Sequence, residues 1–381
     1  MDSMPRWADI LLIPAINLVL ALIVSGIVVA YIGENPVEAM GIMVRGAVGS
    51  AYGWGYTLFY ATNFIFTGLA VAVAFHARLF NIGGEGQAAV GGLGVALVCL
   101  FVDWPHWALA LPAAIVGGAL FGAAWAFLPA ILQAKRGSHI VITTIMFNFI
   151  AAALLNYLLV GALQGDTMSP ETARFQGGAV LPSAYDVAPW LGFSRSAPLN
   201  LAFLVALACC AAVYVLIWRT RLGYEIRAFG HSQPAARYAG IPPVRITMIA
   251  MLVSGALAGL MAVNAVMGEQ ERLVQDNVLG AGFVGIAVAL MGRSHPVGVL
   301  LAAILFGALY QGGAELEFET SVPREMVVVI QALVILFTGA LDNMVRAPME
   351  ALFLNRRRPE PALPTSATRS DGDPKDRKVE P

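Results

Sequence analysis

The sequence predicts an all-α polytopic membrane protein: a helix bundle of about ten transmembrane segments, two of them short or broken, in two pseudo-repeated halves. Three observations carry that prediction. The 381-residue chain is 58% hydrophobic and 12% charged, with a mean hydropathy of +0.73. Soluble domains carry about 25% charged residues, so this chain has about half the charge that a water-facing surface needs. Its apolar runs reach the roughly 20 residues that a helix needs to cross a hydrocarbon core. Finally, two short glycine-interrupted segments, 87–102 and 279–292, occupy comparable places in the two halves, the pattern left by broken membrane helices.

Windows of about 19 residues place spans near 10–32, 56–77, 87–102, 107–133, 139–163, 199–217, 246–267, 279–292, 295–313 and 323–345. The first apolar run exceeds the 7–15-residue core of a signal peptide and is followed by no small-residue cleavage site, so it reads as a retained helix. Residues 1–55 are then a first helix with an outer loop, and 56–345 the main membrane domain, with a long inward loop at 218–245. Residues 346–381 read as a disordered tail, too rich in Pro, Ser and charge to bury a core.

Cations set the orientation. Arg6, Arg78, Lys135, Arg136, Arg219, Arg221, Arg227, Arg237, Arg245, Arg293, Arg346, Arg356, Arg357 and Arg358 fall on one side of these spans. Arg45, Arg174, Arg195, Arg272 and Arg324 fall on the other. The positive-inside rule makes the first group cytoplasmic, and with it both termini. The outward loops are 33–55, 164–199, 268–278 and 314–322. The acidic stretch 315–319, "ELEFE", is either a solvated turn or a docking patch for a partner.

Several functions are excluded. A net charge of −1 leaves no basic footprint for nucleic acid. Cys99, Cys209 and Cys210 lie in apolar runs at spacings that fit neither a disulfide framework nor a zinc site. A nucleotide-binding Walker A loop needs a lysine after glycine, and Lys135, Lys375 and Lys378 all follow other residues. No HExxH or GxSxG motif occurs, and His76, His106, His139, His231 and His295 are scattered, as interfacial or structurally bonded residues would be. No catalytic residue, metal site or cofactor is expected.

The stretch "LFNIGGEGQ", residues 79–87, interrupts the apolar pattern. Asn81 suits the cap of a half-helix, and Glu85 near its first turn complements the helix dipole. A charge near the bilayer centre costs about 2.5–3.5 kcal/mol on insertion scales. Glu85 therefore has three roles open to it: capping and gate packing, contact with a substrate, or a pair with Arg78. Gly83, Gly84 and Gly86 permit close backbone approach, and Gln87 adds a second amide. Asn63, Asn148, Asn156 and Asn264 lie inside spans, where amides either bond between helices or meet a hydroxyl-rich ligand. Phe64, Phe147 and Phe283 are candidate stacking neighbours.

In the inward loop, Ser232 is a helix N-cap and Pro234 falls in the first turn. Gly240 suits a left-handed C-terminal cap, and Pro242 and Pro243 prevent continuation. The helix so defined has about seven residues and needs outside support to persist. Ala235, Ala236 and Ala239 form a small-residue face flanked by Arg237 and Tyr238. Spacing alone leaves two readings open: docking into another protein, or lying on lipid headgroups.

"LFNIGGEGQ", "ITTIMFN" (142–148), "RAFGHSQPAARYAGI" (227–241), "SGALAGL" (254–260) and "GFVGIAVALMGRSHPVGV" (282–299) occur in that order. Together they resemble the permease subunits of bacterial ABC importers for nucleosides and simple sugars, in the group that includes ribose and branched-chain amino-acid permeases. The resemblance runs from about Tyr56 to Asp342. It implies an ATP-driven importer working by alternating access in a bacterial inner membrane. Its partners would be cytoplasmic ATPase subunits, a second permease subunit (the same chain or a similar one) and a periplasmic or lipid-anchored solute-binding protein. The loop holding Ser232, Pro234, Ala235, Ala236, Arg237, Tyr238, Ala239 and Gly240 resembles the coupling helix that docks into the ATPase. The expected substrate pathway or gate comprises Asn63, Asn81, Gly83, Gly84, Glu85, Gln87, Asn148 and Phe283. One departure is Ile140, where many members carry glutamate. The alternative reading is an ion-coupled secondary transporter, which would need a buried carboxylate such as Glu85, Glu269 or Asp342. An intramembrane enzyme would need a catalytic pair, and none is visible.

Overall fold

The computed structural model describes residues 12–165, 167–320, 322–337 and 348. The tail beyond, and the end of the last expected span, lie outside the described residues. Within them the chain is helical, with two isolated bridges, Glu171–Val274 and Ser183–Asn200, as the extended pairings recorded.

The helices are α1 (Ile13–Ile32), α2 (Pro36–Val48), α3 (Ala51–His76), α4 (Gly84–Phe101), α5 (Trp107–Arg136) and α6 (Ile140–Val160). They continue with α7 (Ala202–Tyr214), α8 (Arg221–His231), α9 (Gln233–Tyr238), α10 (Pro243–Ala262), α11 (Ala281–Met291), α12 (Pro296–Glu319) and α13 (Arg324–Ile335). Wider π turns extend α7 through Val215–Arg219 and α10 through Val263–Gln270.

Seven helices among the described residues are long and apolar enough to cross a membrane, or up to eight if α1 and α2, bent by 118°, are one span. The expected ten are not all present as full spans. Helix α11 has 11 residues, roughly 16 Å at 1.5 Å per residue, half a hydrocarbon core. Residues 33–55, expected as a loop, instead hold α2 and the start of α3. Asn35 accepts the Val37 N–H at 3.0 Å and Pro36 opens the first turn, while Ala39, Ile42, Met43 and Ala47 are buried. The "ELEFE" stretch is likewise the last turns of α12 and not a free turn, with Leu316 fully buried.

Two triads organise the bundle: α3–α4–α5 and α10–α11–α12. In each, a long helix is followed by a non-helical return, a shorter helix (18 and 11 residues) and another long helix. The two triads interlock. The first helix of each packs against the second and third of the other, α3 on α11 and α12, α10 on α4 and α5. Every residue from 61 to 74 is buried, so α3 is apolar on all sides because it lies inside the bundle. The α5–α10 contact runs through small residues. A Cβ on Gly122 would meet the Gly255 carbonyl, and one on Gly259 would meet the Gly118 carbonyl, the close backbone approach that membrane helices use in place of a hydrophobic drive.

The segment 167–201, expected as an outer loop, is tied over the π turn and the return that follows it. Thr172 N–H donates to Leu273 O at 2.9 Å and Phe175 N–H to Glu271 O at 2.7 Å. Arg272 bonds Glu171 at 2.8 Å.

Candidate functional site

Helix α4 and the short helix α11 begin beside each other. Glu85, in the first turn of α4, accepts the backbone N–H of Gly280 on Oε1 and of Gly282 on Oε2, both at 2.8 Å. It therefore caps the other triad's half-helix, whose orphan N–H groups carry partial positive charge. In these bonds the carboxylate serves the junction, and no ion pair with Arg78 is recorded among the described residues. The junction is tight. A Cβ on Gly282 would meet the Glu85 backbone.

Asn81 does not cap α4, whose N-cap position is Gly83 with no side-chain bond. Its Oδ1 accepts the Gly83 N–H at 2.9 Å, and its Nδ2 donates to Gln87 Oε1 at 2.9 Å and Ser254 Oγ at 2.8 Å. Gln87 donates back to Asn81 Oδ1 at 3.2 Å, and Ser254 donates to Ala70 O at 2.6 Å. The buried ring pins the extended return of the first triad to α3 and α10. Asn148, on α6, accepts the Gly86 N–H at 2.9 Å and donates to Ile82 O at 3.0 Å. Asn264 donates to Asn63 Oδ1 at 2.8 Å and to Phe59 O at 3.0 Å. The amides inside the spans thus bond between segments, except Asn156, which is exposed. Phe283 is half-exposed beside the junction, Phe64 is buried, and Phe147 stacks edge-on against Trp125.

Sequence reasoning missed Gln275, Asp276 and Asn277. They line, with Glu85, Gly86, Ala89, Asn148, Ala152, Leu155 and Val278, a small cavity of about 60 Å³. Hydropathy placed them in an outer loop, but the chain there returns inward to start α11. The backbone gives the return its signal: Glu271, Asp276 and Leu279 have φ between +52° and +56° without being glycine, a sparsely populated conformation that clusters at functional sites.

On the opposite end, Ser232 accepts the Ala235 N–H at 3.4 Å to start α9, Pro234 lies in the first turn, and Gly240 is left-handed at φ +78°. The helix has the expected signals at both ends. Of its small-residue face, however, Ala236 is buried within the chain, while Tyr238 is 95% exposed. Ala236 anchors the helix and is not presented outward. Gln233, Pro234, Arg237 and Tyr238 line an open groove on its free side. Helix α8 supports it, and Gly230 of α8 rests on the His76 carbonyl at the end of α3. Trp218 stands beside His76 and His295, with ring centroids at 5.1 and 4.9 Å. No group of metal-ligating side chains occurs among the described residues.

Residues 53–339 match the family described as "Branched-chain amino acid transport system / permease component". The chain belongs to this family. The permease is 36% identical over 354 residues to the glucose ABC transporter permease protein TsgB13 of Haloferax volcanii, covering 92% of each chain. It is 36% identical to the guanosine ABC transporter permease protein NupP of Bacillus subtilis, over 87% of this chain and 93% of that one. To the nucleoside ABC transporter permease protein NupB of Lactococcus lactis subsp. cremoris it is 34% identical, over 86% and 90%. It is a multi-pass membrane subunit of an ABC importer and not itself an enzyme. Membership implies ATPase and solute-binding partners.

Proposed function

We propose that the permease imports a nucleoside or a related simple sugar, with the half-helix junction at Glu85 as its gate. The observation that carries this reading is that junction: the starts of two helices from interlocked triads share one carboxylate, beside a cavity whose polar lining is Glu85, Asp276, Asn148, Gln275 and Asn277. Amides and carboxylates suit a hydroxyl-rich ligand that donates hydrogen bonds, and among the described residues no Lys or Arg lines the cavity. Relatives named for glucose, guanosine and nucleosides support the same class. Asn81, Gly83, Gly84 and Gln87 set the position of the gate, Asn148 holds it to α6, Asn63 braces α3, and Phe283 offers an apolar face beside it.

In the proposed cycle, a periplasmic or lipid-anchored binding protein delivers substrate to the outer segment 167–201. Two ATPases grip α9 through Gln233, Pro234, Arg237 and Tyr238, and ATP closure moves α8 against α3. A second permease, of the same or a similar chain, completes the pathway. The distribution of Lys and Arg along the sequence supports placing α9 and both termini in the cytoplasm, with the chain in a bacterial inner membrane. An ion-coupled carrier would need Glu85 to cycle freely, whereas it is bonded to two backbone donors.

Uptake of guanosine and D-glucose into vesicles containing the permease, with and without its ATPase, tests this. Uptake should require ATPase and ATP. Uptake driven by a proton gradient without the ATPase would overturn the reading.

A further inference from the structure

We propose that Tyr52, Tyr56, Tyr60 and Tyr310 form an aromatic track that carries a ring face of the translocated solute, a nucleobase or the C–H face of a sugar, from the outer end of α3 towards the gate at Glu85. This rests on the substrate class and orientation proposed above and adds the surface that the solute touches on its way in.

The four rings form one row. Tyr52, Tyr56 and Tyr60 recur every fourth residue of α3, so they stand one above another on one side of the helix. Their centroids are 4.7 and 6.2 Å apart, and Tyr310 of α12 continues the row at 5.8 Å from Tyr60 and 5.0 Å from Phe64. Aromatic rings interact at centroid separations of about 4.5–7 Å. The row has a carboxylate near each end: Tyr56 lies within electrostatic reach of the exposed Glu269, and Tyr310 within reach of Glu85.

The shortness of α11 leaves this side of α3 open. Thr67 lies two turns inward of Tyr60 on the same side of the helix, and there α11 covers it: a Cβ on Gly285 would meet Thr67, and one on Gly68 would meet Val288. Helix α11 begins at Ala281, about 6 Å before Gly285. It ends beside the end of α3, where His76 bonds Ser294 O at 3.1 Å, so the two helices run in the same sense. Tyr60 stands about 10 Å outward of Thr67, so the row of rings begins where α11 stops. The flanking sides of α3 are covered at this level. A Cβ on Gly55 would meet Ala197, and Thr57 donates to Ala47 O on α2 at 2.9 Å. Between them Tyr52 is 41% exposed and Tyr56, Tyr60 and Tyr310 are half-buried, whereas every residue from 61 to 74 is buried.

Tyrosines also anchor helices at the membrane surface, but Tyr60 lies nine residues into α3, about 13 Å along its axis. A phenol there offers a flat apolar face and a hydroxyl that keeps a passage wet. Stacking tolerates different bases because each has a π-face, and several similar rings make a series of weak sites, which lets a solute enter and also leave.

The test uses the complete importer, permease with ATPase and binding protein, in proteoliposomes. Tyr56→Cys, Tyr60→Cys and Tyr310→Cys are treated with a charged, membrane-impermeant methanethiosulfonate, without nucleotide and during ATP turnover. Rates are read above the wild-type background of Cys99, Cys209 and Cys210. The control is Val116→Cys, nine residues into α5 and 55% exposed, which marks the lipid-facing surface at the same depth. The three track positions should label at least tenfold faster than Val116→Cys, and guanosine or D-glucose should slow them, the effective one naming the ring that stacks. Loss of one stacking ring corresponds to about tenfold, so Tyr60→Leu should lower uptake by about that factor, and Tyr60→Phe should stay within about twofold of wild type. Melting temperatures in detergent separate this from a packing defect, which would lower stability and uptake together. Labelling at Tyr60→Cys and Tyr310→Cys no faster than at Val116→Cys means that the rings face lipid and overturns the track, with the substrate class intact. Fast labelling that neither solute slows, with uptake by Tyr60→Leu equal to wild type, overturns it as well. Wild-type uptake of neither solute overturns the substrate class and the stacked ligand together.

Discussion

Glu85 Oε2, in the first turn of α4, accepts the backbone N–H of Gly282 at 2.8 Å across 197 residues of chain. The bond joins the starts of two helices that belong to different triads. Each triad packs its first helix on the other's last, and the Glu85 junction joins the two halves at the starts of their second helices. A carboxylate is suited to this place because one side chain satisfies two orphan N–H groups and opposes the positive end of the helix dipole.

Glu85→Gln keeps the shape of this side chain and removes the charge. Its amide nitrogen would face one backbone N–H, so one bond is lost and the other weakened. Hydrogen bonds to charged groups contribute about 1.5–3 kcal/mol. The expected outcome is a lower melting temperature in detergent and a fall in uptake of about tenfold or more. An unchanged melting temperature would show that the junction carries no stability.

How much of this was legible in the sequence depends on the distance between partners. The cap and stop of α9 were readable because Ser232, Pro234 and Gly240 act on their own turns. The shortness of α11 was readable from length and glycine, whereas α4 runs for 18 residues and is long enough to span. The target of Glu85 was not, because Gly280 and Gly282 are nearly 200 residues away. Asn81 misled for the same reason: its strongest partners include Ser254, and no local rule names them. Helix α2 had a local signal in Asn35 and Pro36, but a 19-residue average mixes its polar face with the turn before it. Gln275, Asp276 and Asn277 were missed because hydropathy equates polar segments with the outside.

The α5–α10 contact gives the second prediction. Gly259→Val places a branched side chain against the Gly118 carbonyl and Gly122. Overpacking a filled interface costs about 1–3 kcal/mol and at times more. The variant should lose monodisperse protein in detergent, while Gly41→Ala, with open space around its Cβ, should behave as wild type. Equal yields and melting temperatures for both would refute the contact.

Helix α9 separates anchoring from docking. Ala236→Arg puts a charge where the side chain is 3% exposed and should detach α9 from its support, lowering both thermal stability and ATPase co-purification. Tyr238→Ala removes a ring that is 95% exposed, so stability should hold while co-purification with the ATPase drops several-fold. If Tyr238→Ala leaves co-purification unchanged, the exposed side of α9 is not the docking face.

The last prediction concerns how a push on α9 reaches the gate. Helix α8 joins α9 directly and touches α3 where Gly230 meets the His76 carbonyl. The turn before α8 holds Trp218, whose ring lies edge-on to His76 and tilted against His295. His76 ends α3, and His295 starts α12, accepting the Val297 N–H at 3.3 Å. His76 Nε2 also bonds Ser294 O at 3.1 Å, so α3, the π extension of α7 that leads into α8, and α12 meet in one aromatic cluster. Because α3 packs on both α11 and α12, a shift at this cluster moves the helix whose start Glu85 holds. Trp218→Ala removes the shared ring and leaves α9 and its exposed groove intact. ATPase association should therefore persist, and ATP hydrolysis should continue while substrate uptake falls by about tenfold. Trp218→Phe should retain part of the coupling. Parallel loss of association and uptake in Trp218→Ala would mean that the ring holds α9 in place and transmits nothing further.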